Sequence, residues 1–392
     1  MHHFKYFVVY LCDISRGFMK KVAVVSKNIC QVLAGGAKYG GGIVVTGNLI
    51  RAYANMNDVE LTVFTEIDSS ASIDNVRVIE IPYPYSSDSY IDEIDKIVKK
   101  ENFDIVLSAN IPQLYHTCLL QCHSPQYKCN NLPFLLRNLK KVFGRKKLDW
   151  SIKRFKNIED CRFIAVSEII KKDYQENFNI PSERIRVVYP ACTKVFDTLP
   201  EIKKNTNITF GIVANSSFNK GGNLLLFVLG LLKLCGYNFR VKIIAPKFRR
   251  DFVMQGLVNV FGMNKCVEAI PKQSDMKGFY STIDVLVLPS INEAFGLVVL
   301  EAMAFGKPCI VSSTAGIAEI INSQNGFVFN RRKLSDFIQT IIKVIKIYNE
   351  EFSRFKDYCK NAFETSGIYT WEKFARKILE SSSADREGVN RY

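Results

Sequence analysis

Residues 292–308 read NEAFGLVVLEAMAFGKP. Two acids, Glu293 and Glu301, stand eight positions apart, and the stretch between them is apolar apart from Gly296. The preceding run DVLVLPS reads as a buried strand that ends at Pro289 and Ser290. INEAF is then the loop at its carboxyl end, where Gly296 lets the backbone turn closely. The apolar run after it predicts a helix to about Phe305, stopped by Gly306 as a left-handed cap and by Pro308. The amides of Phe295, Gly296, Leu297 and Val298 point out of such a helix start and form a ready anion site.

Glu293 falls in the loop beside that anion site, and Glu301 on the second helical turn. Carboxylates do not bind phosphate, but they accept hydrogen bonds from hydroxyls. A ligand with phosphates flanked by two polyol rings suits all three features, and a nucleotide-sugar is such a ligand. The bland alternative makes Glu293 a helix cap and Glu301 a surface residue. The pairing of the two acids around Gly296, after a strand ending Pro-Ser, argues against it.

Working outward, the chain alternates short β-rich runs with helical patterns. KVAVVS, VELTVFT, VRVIEIP, FDIVLSA, CRFIAVS and IRVVYP read as strands, with helices such as YIDEIDKIVKKEN and EIIKKDYQENF between them. A polar stretch from Thr193 to Asn207 breaks the pattern. A second series follows: ITFGIVA, RVKIIAP, CVEAIP, DVLVLPS and PCIVSS, again with helical segments between. Alternation of this kind means parallel βαβ units, so the fold class is α/β, with two Rossmann-like domains facing a cleft. The expected domains are 19–195 and 196–365, with a closing helix and tail, 366–392, crossing back to the first domain. Residues 1–18 read as an extension, with Met19 as the working start of the chain. The apolar piece from Phe7 to Cys12 is short for a signal segment, and Asp13 follows it directly.

In the second series, GIVANSSFNKGGNLL reads as strand, polar loop, Lys-Gly-Gly and helix. Lys220 sits where a cation neutralises a diphosphate, and Gly221 and Gly222 permit close backbone approach.

A chain of 392 residues with 47% hydrophobic and 23% charged residues holds two ordinary globular domains. No apolar run approaches the ~20 residues that span a bilayer. The eleven cysteines are odd in number and scattered, which reads as reduced thiols in a cytoplasmic protein. The net charge of +15 points to anionic partners. It concentrates in LRNLKKVFGRKKLDWSIKRFKN, where nine Lys or Arg face a single Asp149. Interleaved Leu139, Phe143, Trp150 and Phe155 suit a segment lying on an anionic membrane surface, from Arg137 to Lys156. An ordinary solvated helix packing its apolar face on its own domain fits the same residues.

The second half resembles the group 1, or family 4, glycosyltransferases of the GT-B fold. The carriers are NKGG, the run YSTIDVLVLPSINEAFGLVVLEAMAFGKPCIVSSTAGIAEII with its E-x7-E spacing, and the closing YTWEKFARKIL. The first half matches more loosely through YGGGIVVTGNLIRAY, LQCHSP, FIAVSEIIKKDY and IPSERIRVVYPA. The resemblance implies hexosyl transfer from a nucleotide-diphosphate sugar to a hydroxyl of a glycan or glycolipid, with retention, in polysaccharide or lipopolysaccharide biosynthesis. It places Glu301 on the ribose, Glu293 on the donor sugar, the amides of Phe295 to Val298 and Lys220 on the diphosphate, and His123 facing the sugar. Gly41 and Gly42 would approach from the opposite domain. His123 has a plain alternative as a packed core histidine. One departure stands out: the family's usual Arg after the strand is replaced here by Asn215.

Retention could arise from front-face attack or from double displacement through a carboxylate nucleophile, and the resemblance favours the first. No Asp-x-Asp pair offers itself for Mg²⁺, so neither a cofactor nor an obligatory metal is expected, nor a nucleic-acid partner. A peripheral place on the inner face of the cell membrane is compatible with the basic segment. The contrasting readings are a nucleotide-sugar epimerase of the same fold, a non-catalytic nucleotide-sugar binder, and an NAD-dependent hydride-transfer enzyme. GGAKYGGG lacks the spacing the last requires.

Overall fold

A computed structural model describes residues 19–25, 41–66, 74–84, 87–108, 117–121, 162–214, 218–245, 248–270 and 276–383. Two parallel sheets organise them. The first takes β1 (Lys20–Val25), β2 (Val59–Glu66), β3 (Val76–Ile81), β4 (Ile105–Ser108), β5 (Thr117–Gln121), β6 (Arg162–Ala165) and β7 (Ile185–Val187), in the order β3-β2-β1-β4-β5-β6-β7. Its helices are α1 (Gly41–Ala54), α2 (Asp88–Glu101) and α3 (Glu168–Phe178). The second takes β8 (Thr209–Val213), β9 (Arg240–Ile244), β10 (Val267–Ile270), β11 (Val285–Leu288), β12 (Cys309–Ser312) and β13 (Gly326–Phe329), in the order β10-β9-β8-β11-β12-β13. With it go α4 (Gly222–Leu234), α5 (Phe252–Val260), α6 (Lys277–Ser281), α7 (Leu297–Met303), α8 (Leu334–Glu350), α9 (Phe352–Ile368) and α10 (Trp371–Ser383).

Both orders reverse direction once, between β1 and β4 and between β8 and β11. A crevice opens at the carboxyl ends of the strands at such a switch point, and ligands of open α/β sheets bind there. The strands are short apolar runs because helices cover both of their faces. β11 and β12 are buried at every position.

Local signals set the helices. Ser87 accepts from the amide of Tyr90 to start α2, and Asn102 ends it in the left-handed region. Tyr90, Ile91, Ile94 and Val98 lie along its buried face at helical spacing. α4 is apolar nearly throughout because it packs on the sheet and on α5. A Cβ on Gly230 would stand 2.3 Å from the Phe261 ring, so the glycine admits the neighbouring helix.

The chain passes between the domains twice, and the two crossings lie side by side. The Cys192 amide donates to the Tyr369 carbonyl at 3.3 Å. After the second crossing, α10 packs on α1 of the first domain: the Tyr53 hydroxyl donates to the Ala375 carbonyl at 3.3 Å, and Arg376 pairs with Asp58. The boundary read at residue 366 falls inside the last turn of α9, which runs on to Ile368. Amphipathic periodicity does not mark a helix terminus. One apolar core runs continuously from Val22, Leu49 and Tyr174 of the first domain to Leu288, Phe295 and Leu300 of the second.

Candidate active site

The site lies at the switch point of the second sheet. Two loops meet there, one after β8 and one after β11. The Ile291 amide donates to the Asn219 carbonyl at 2.9 Å. Gly221 adopts φ +72°, and a Cβ there would stand 2.2 Å from the Pro289 carbonyl oxygen. Only glycine allows this approach, and the approach sets Lys220 beside the β11 loop. Its ammonium forms an ion pair with Glu293. The Glu293 side chain is 13% exposed and that of Lys220 32%, so the pair is sheltered but open on the lysine side. The Ser290 hydroxyl also donates to the Glu293 carboxylate at 3.4 Å.

Gly296 caps α7 with φ +112°, and a side chain there would meet Leu288 and Ile317 at about 3 Å. The glycine thus does the sharp turning expected of it. Leu297 and Val298 open the helix, and their amides belong to the first turn, which has no intrahelical acceptor. Phe295, whose amide is also expected at the anion site, is fixed by two further contacts. Its carbonyl accepts from the Ile317 amide at 2.8 Å, and its buried ring stacks on Tyr189 of the first domain at 5.9 Å. The helix expected to reach about Phe305 ends as an α-helix at Met303. The last turn tightens instead, Phe305 donating to Ala302 and Gly306 to Met303, with Gly306 at φ +67°.

Glu301 stands one turn into α7, and its carboxylate points inward. The Tyr280 hydroxyl donates to Glu301 Oε2 at 2.5 Å. Burial raises the Glu301 pKa, with the Tyr280 hydrogen bond opposing it. The neighbouring Cys192 thiol is pushed up to about 12, by burial first and then by the Glu301 charge. One oxygen of Glu301 is thereby held from within.

The structure therefore brings Lys220, Glu293, Gly296 and the start of α7 together, with Glu301 one turn further along the helix. Gly41 and Gly42 are the first residues of α1, after β1 at the switch point of the first sheet. His123, Asn215 and the basic segment Arg137 to Lys156 lie outside the described residues. Tyr280 and Ser290, which hold the two carboxylates, carried no sequence signal of that role. Both lie inside YSTIDVLVLPS, but only folding shows which acid each meets. Among the described residues, no group of three or more His, Cys, Asp or Glu side chains could hold a metal ion, and no helix is long and apolar enough to cross a membrane.

Residues 198–362 match the family described as glycosyl transferases group 1, and residues 39–192 match Glycosyltransferase Family 4. The O-antigen chain mannosyltransferase RfbU of Salmonella typhimurium is 28% identical over 230 residues, 56% of this chain and 59% of that protein. The chain spans about 59% of the length of the first curated relatives it matches. WaaG, a glycosyltransferase involved in lipopolysaccharide biosynthesis, superposes with a TM-score of 0.68 at 16% identity, covering 92% of this chain and 99% of that one. HepE of Anabaena, solved in complex with UDP and glucose, gives 0.64 at 14% identity, covering 93% and 100%. At these identities the solved structures share the GT-B fold.

Proposed function

Since the chain belongs to the group 1 glycosyltransferases, we propose that it moves a sugar from a nucleotide-diphosphate donor to a hydroxyl of a glycan or glycolipid, with retention at the anomeric carbon. The observation that carries this reading is the Lys220–Glu293 pair, closed across the switch point of the second sheet with Glu301 on the adjoining helix. One cation and two separated carboxylates suit one diphosphate and two sets of hydroxyls. HepE, with UDP and glucose in its structure, supports a nucleoside-diphosphate sugar as the donor class. RfbU and WaaG support cell-surface polysaccharide or lipopolysaccharide assembly as its setting.

In this mechanism the diphosphate takes Lys220 from Glu293. The ammonium then faces the charge that builds on the leaving group, and the amides of Leu297 and Val298 face its oxygens. Glu293, released from the lysine, accepts hydroxyls of the donor sugar. Glu301 Oε1 accepts a ribose hydroxyl. The acceptor hydroxyl attacks the anomeric carbon from the face that the diphosphate leaves, the carbon–oxygen bond to the phosphate breaks, and the departing phosphate oxygen takes the proton. Lys220 and the helix amides supply the stabilisation that a metal would otherwise give, so no metal is required. The basic segment Arg137 to Lys156 rests on an anionic membrane surface and brings the chain to a lipid-borne acceptor.

The test is turnover of a panel of nucleotide-sugars with and without lipid-linked acceptors, in EDTA. Acceptor-dependent release of nucleoside diphosphate is expected. Conversion of the donor to an epimer without acceptor would identify an epimerase, and tight donor binding without turnover a binding protein. Loss of activity in EDTA with recovery in Mg²⁺ would refute the metal-free mechanism. For the membrane arm, pelleting with anionic vesicles at low salt and release at high salt are expected. Indifference to such vesicles would favour a soluble acceptor.

A further inference from the structure

The loop that carries Glu293 is tied to the other domain as well as to its own sheet. Ser167 is fully buried, and its Oγ donates to the Ala294 carbonyl at 2.7 Å. The same hydroxyl caps α3, accepting from the Ile170 amide at 3.3 Å. The rest of that helix start is capped from across the domain boundary. Glu319 accepts from the Glu168 amide at 2.9 Å through Oε2 and from the Ile169 amide at 3.0 Å through Oε1. These amides have no acceptor within their own helix, so a carboxylate beside them is favoured by hydrogen bonding and by the helix dipole.

Glu319 closes a short helical turn, Gly316–Glu319, which follows β12. That turn also grips the donor loop. The Gly316 amide donates to the Glu293 carbonyl at 3.1 Å, and the Ile317 amide to the Phe295 carbonyl at 2.8 Å. A Cβ on Gly316 would stand 2.2 Å from the Ala294 oxygen and 2.6 Å from the Ser167 Cβ, so the glycine lies pressed between the two domains. Tyr189, from just beyond β7, adds its ring against Phe295. The three loop residues Glu293, Ala294 and Phe295 are thus each held at their carbonyls, one of them directly by the first domain and two by the turn that Glu319 anchors to it.

We propose that Glu319 is a positioning residue. By capping α3 it fixes the Gly316–Glu319 turn to the first domain, and through that turn it holds Glu293 and the start of α7 in the geometry that transfer requires. Docking of the two domains and shaping of the donor loop are then one event. The role in transfer rests on the function proposed above; the mechanical coupling does not.

The experiment follows that division. Amide hydrogen exchange of the whole chain, without any donor, compares wild type with Glu319→Ala, Glu319→Gln and Ser167→Ala. In Glu319→Ala, exchange rises about tenfold both at residues 168–171 and at residues 293–298, while β2 and β9 are unchanged. Glu319→Gln, which keeps one accepting oxygen, falls between. A rise confined to residues 168–171 overturns the coupling, since Glu319 would then cap α3 and nothing more. With the turnover assay in hand, Glu319→Ala and Ser167→Ala each lower kcat about tenfold, donor Kd stays within twofold, and the double variant is no worse than either single one, as expected for groups acting through one contact. Equal loss through Kd, or additive losses, overturns the positioning role. Absence of transfer by the wild type would sink the glycosyltransferase reading and leave the exchange result standing.

Discussion

Lys220 and Glu293 neutralise each other between the loops that follow the paired strands β8 and β11. The carboxylate is the more enclosed of the two. A pair of this kind adds little to stability when both members are present, yet removing one leaves a poorly solvated charge behind. In the proposed mechanism an arriving diphosphate resolves the difficulty by substituting for the carboxylate, which becomes available to sugar hydroxyls.

Lys220→Ala is therefore expected to slow transfer. Loss of one electrostatic contact to a developing charge costs roughly 10² to 10³ in rate. The measurement is the single-turnover rate at saturating donor, where binding is complete. An unchanged rate would reduce Lys220 to a structural partner of Glu293.

The two acids are expected to fail differently. In the proposed mechanism Glu301 meets the ribose, whose contacts are the same before and during transfer, so Glu301→Ala is expected to raise the donor KM with little change in kcat. In the same mechanism Glu293 meets the sugar as it gains positive charge, so Glu293→Ala is expected to lower kcat more than it raises KM. Steady-state kinetics on the true donor separate the two. Wild-type behaviour of both variants would remove them from the site.

The acid limb of donor binding follows from the surroundings of Glu301. In the proposed mechanism its ionised form accepts the ribose hydroxyl, and burial raises its pKa. Donor affinity should therefore fall with decreasing pH at values above the ordinary glutamate range near ~4.3. The Tyr280 bond works against the rise, so Tyr280→Phe should push the midpoint higher still and lose the donor earlier on acidification. Titration calorimetry across pH reads this directly. A midpoint that stays put or moves down would show that Tyr280 does not set the ionisation of Glu301.

Much of this arrangement is written in local sequence. Strand and helix alternation gives the two parallel sheets, because each βαβ unit declares itself within about thirty residues. Gly296, Gly306 and Pro308 declare their turn because φ and the missing donor are properties of single residues. The partners of Glu301 and Glu293 are of another kind. Tyr280 lies 21 positions from its acid and Lys220 lies 73 positions from its own. Such meetings are set by strand order, which brings β8 beside β11 although the two are far apart in the chain. The cap that Glu319 places on α3 spans 151 positions and depends on how two domains dock. Nothing in SSTAGIAEII distinguishes that carboxylate from a solvated one.

The glycines offer a last comparison, because two with similar backbone angles differ in what surrounds them. Gly221 and Gly236 adopt φ +72° and +86°. Either one replaced by alanine meets the left-handed penalty of roughly 1–2 kcal/mol. Around Gly236 nothing stands within 4 Å of an added Cβ, whereas at Gly221 the Cβ would lie 2.2 Å from the Pro289 carbonyl. The second contact is with backbone, so relief requires the β8 loop and the β11 loop to part. That movement would stretch the Ile291–Asn219 hydrogen bond and draw Lys220 away from Glu293. Gly236→Ala should thus lower the unfolding midpoint modestly and leave donor binding intact. Gly221→Ala should lower it further and also weaken donor binding by an order of magnitude or more. Thermal unfolding with and without a saturating nucleotide-sugar tests both halves at once. Equal midpoints and equal ligand-induced shifts in the two variants would mean that the β8 loop yields without disturbing the site, and that Lys220 reaches its place by some other constraint.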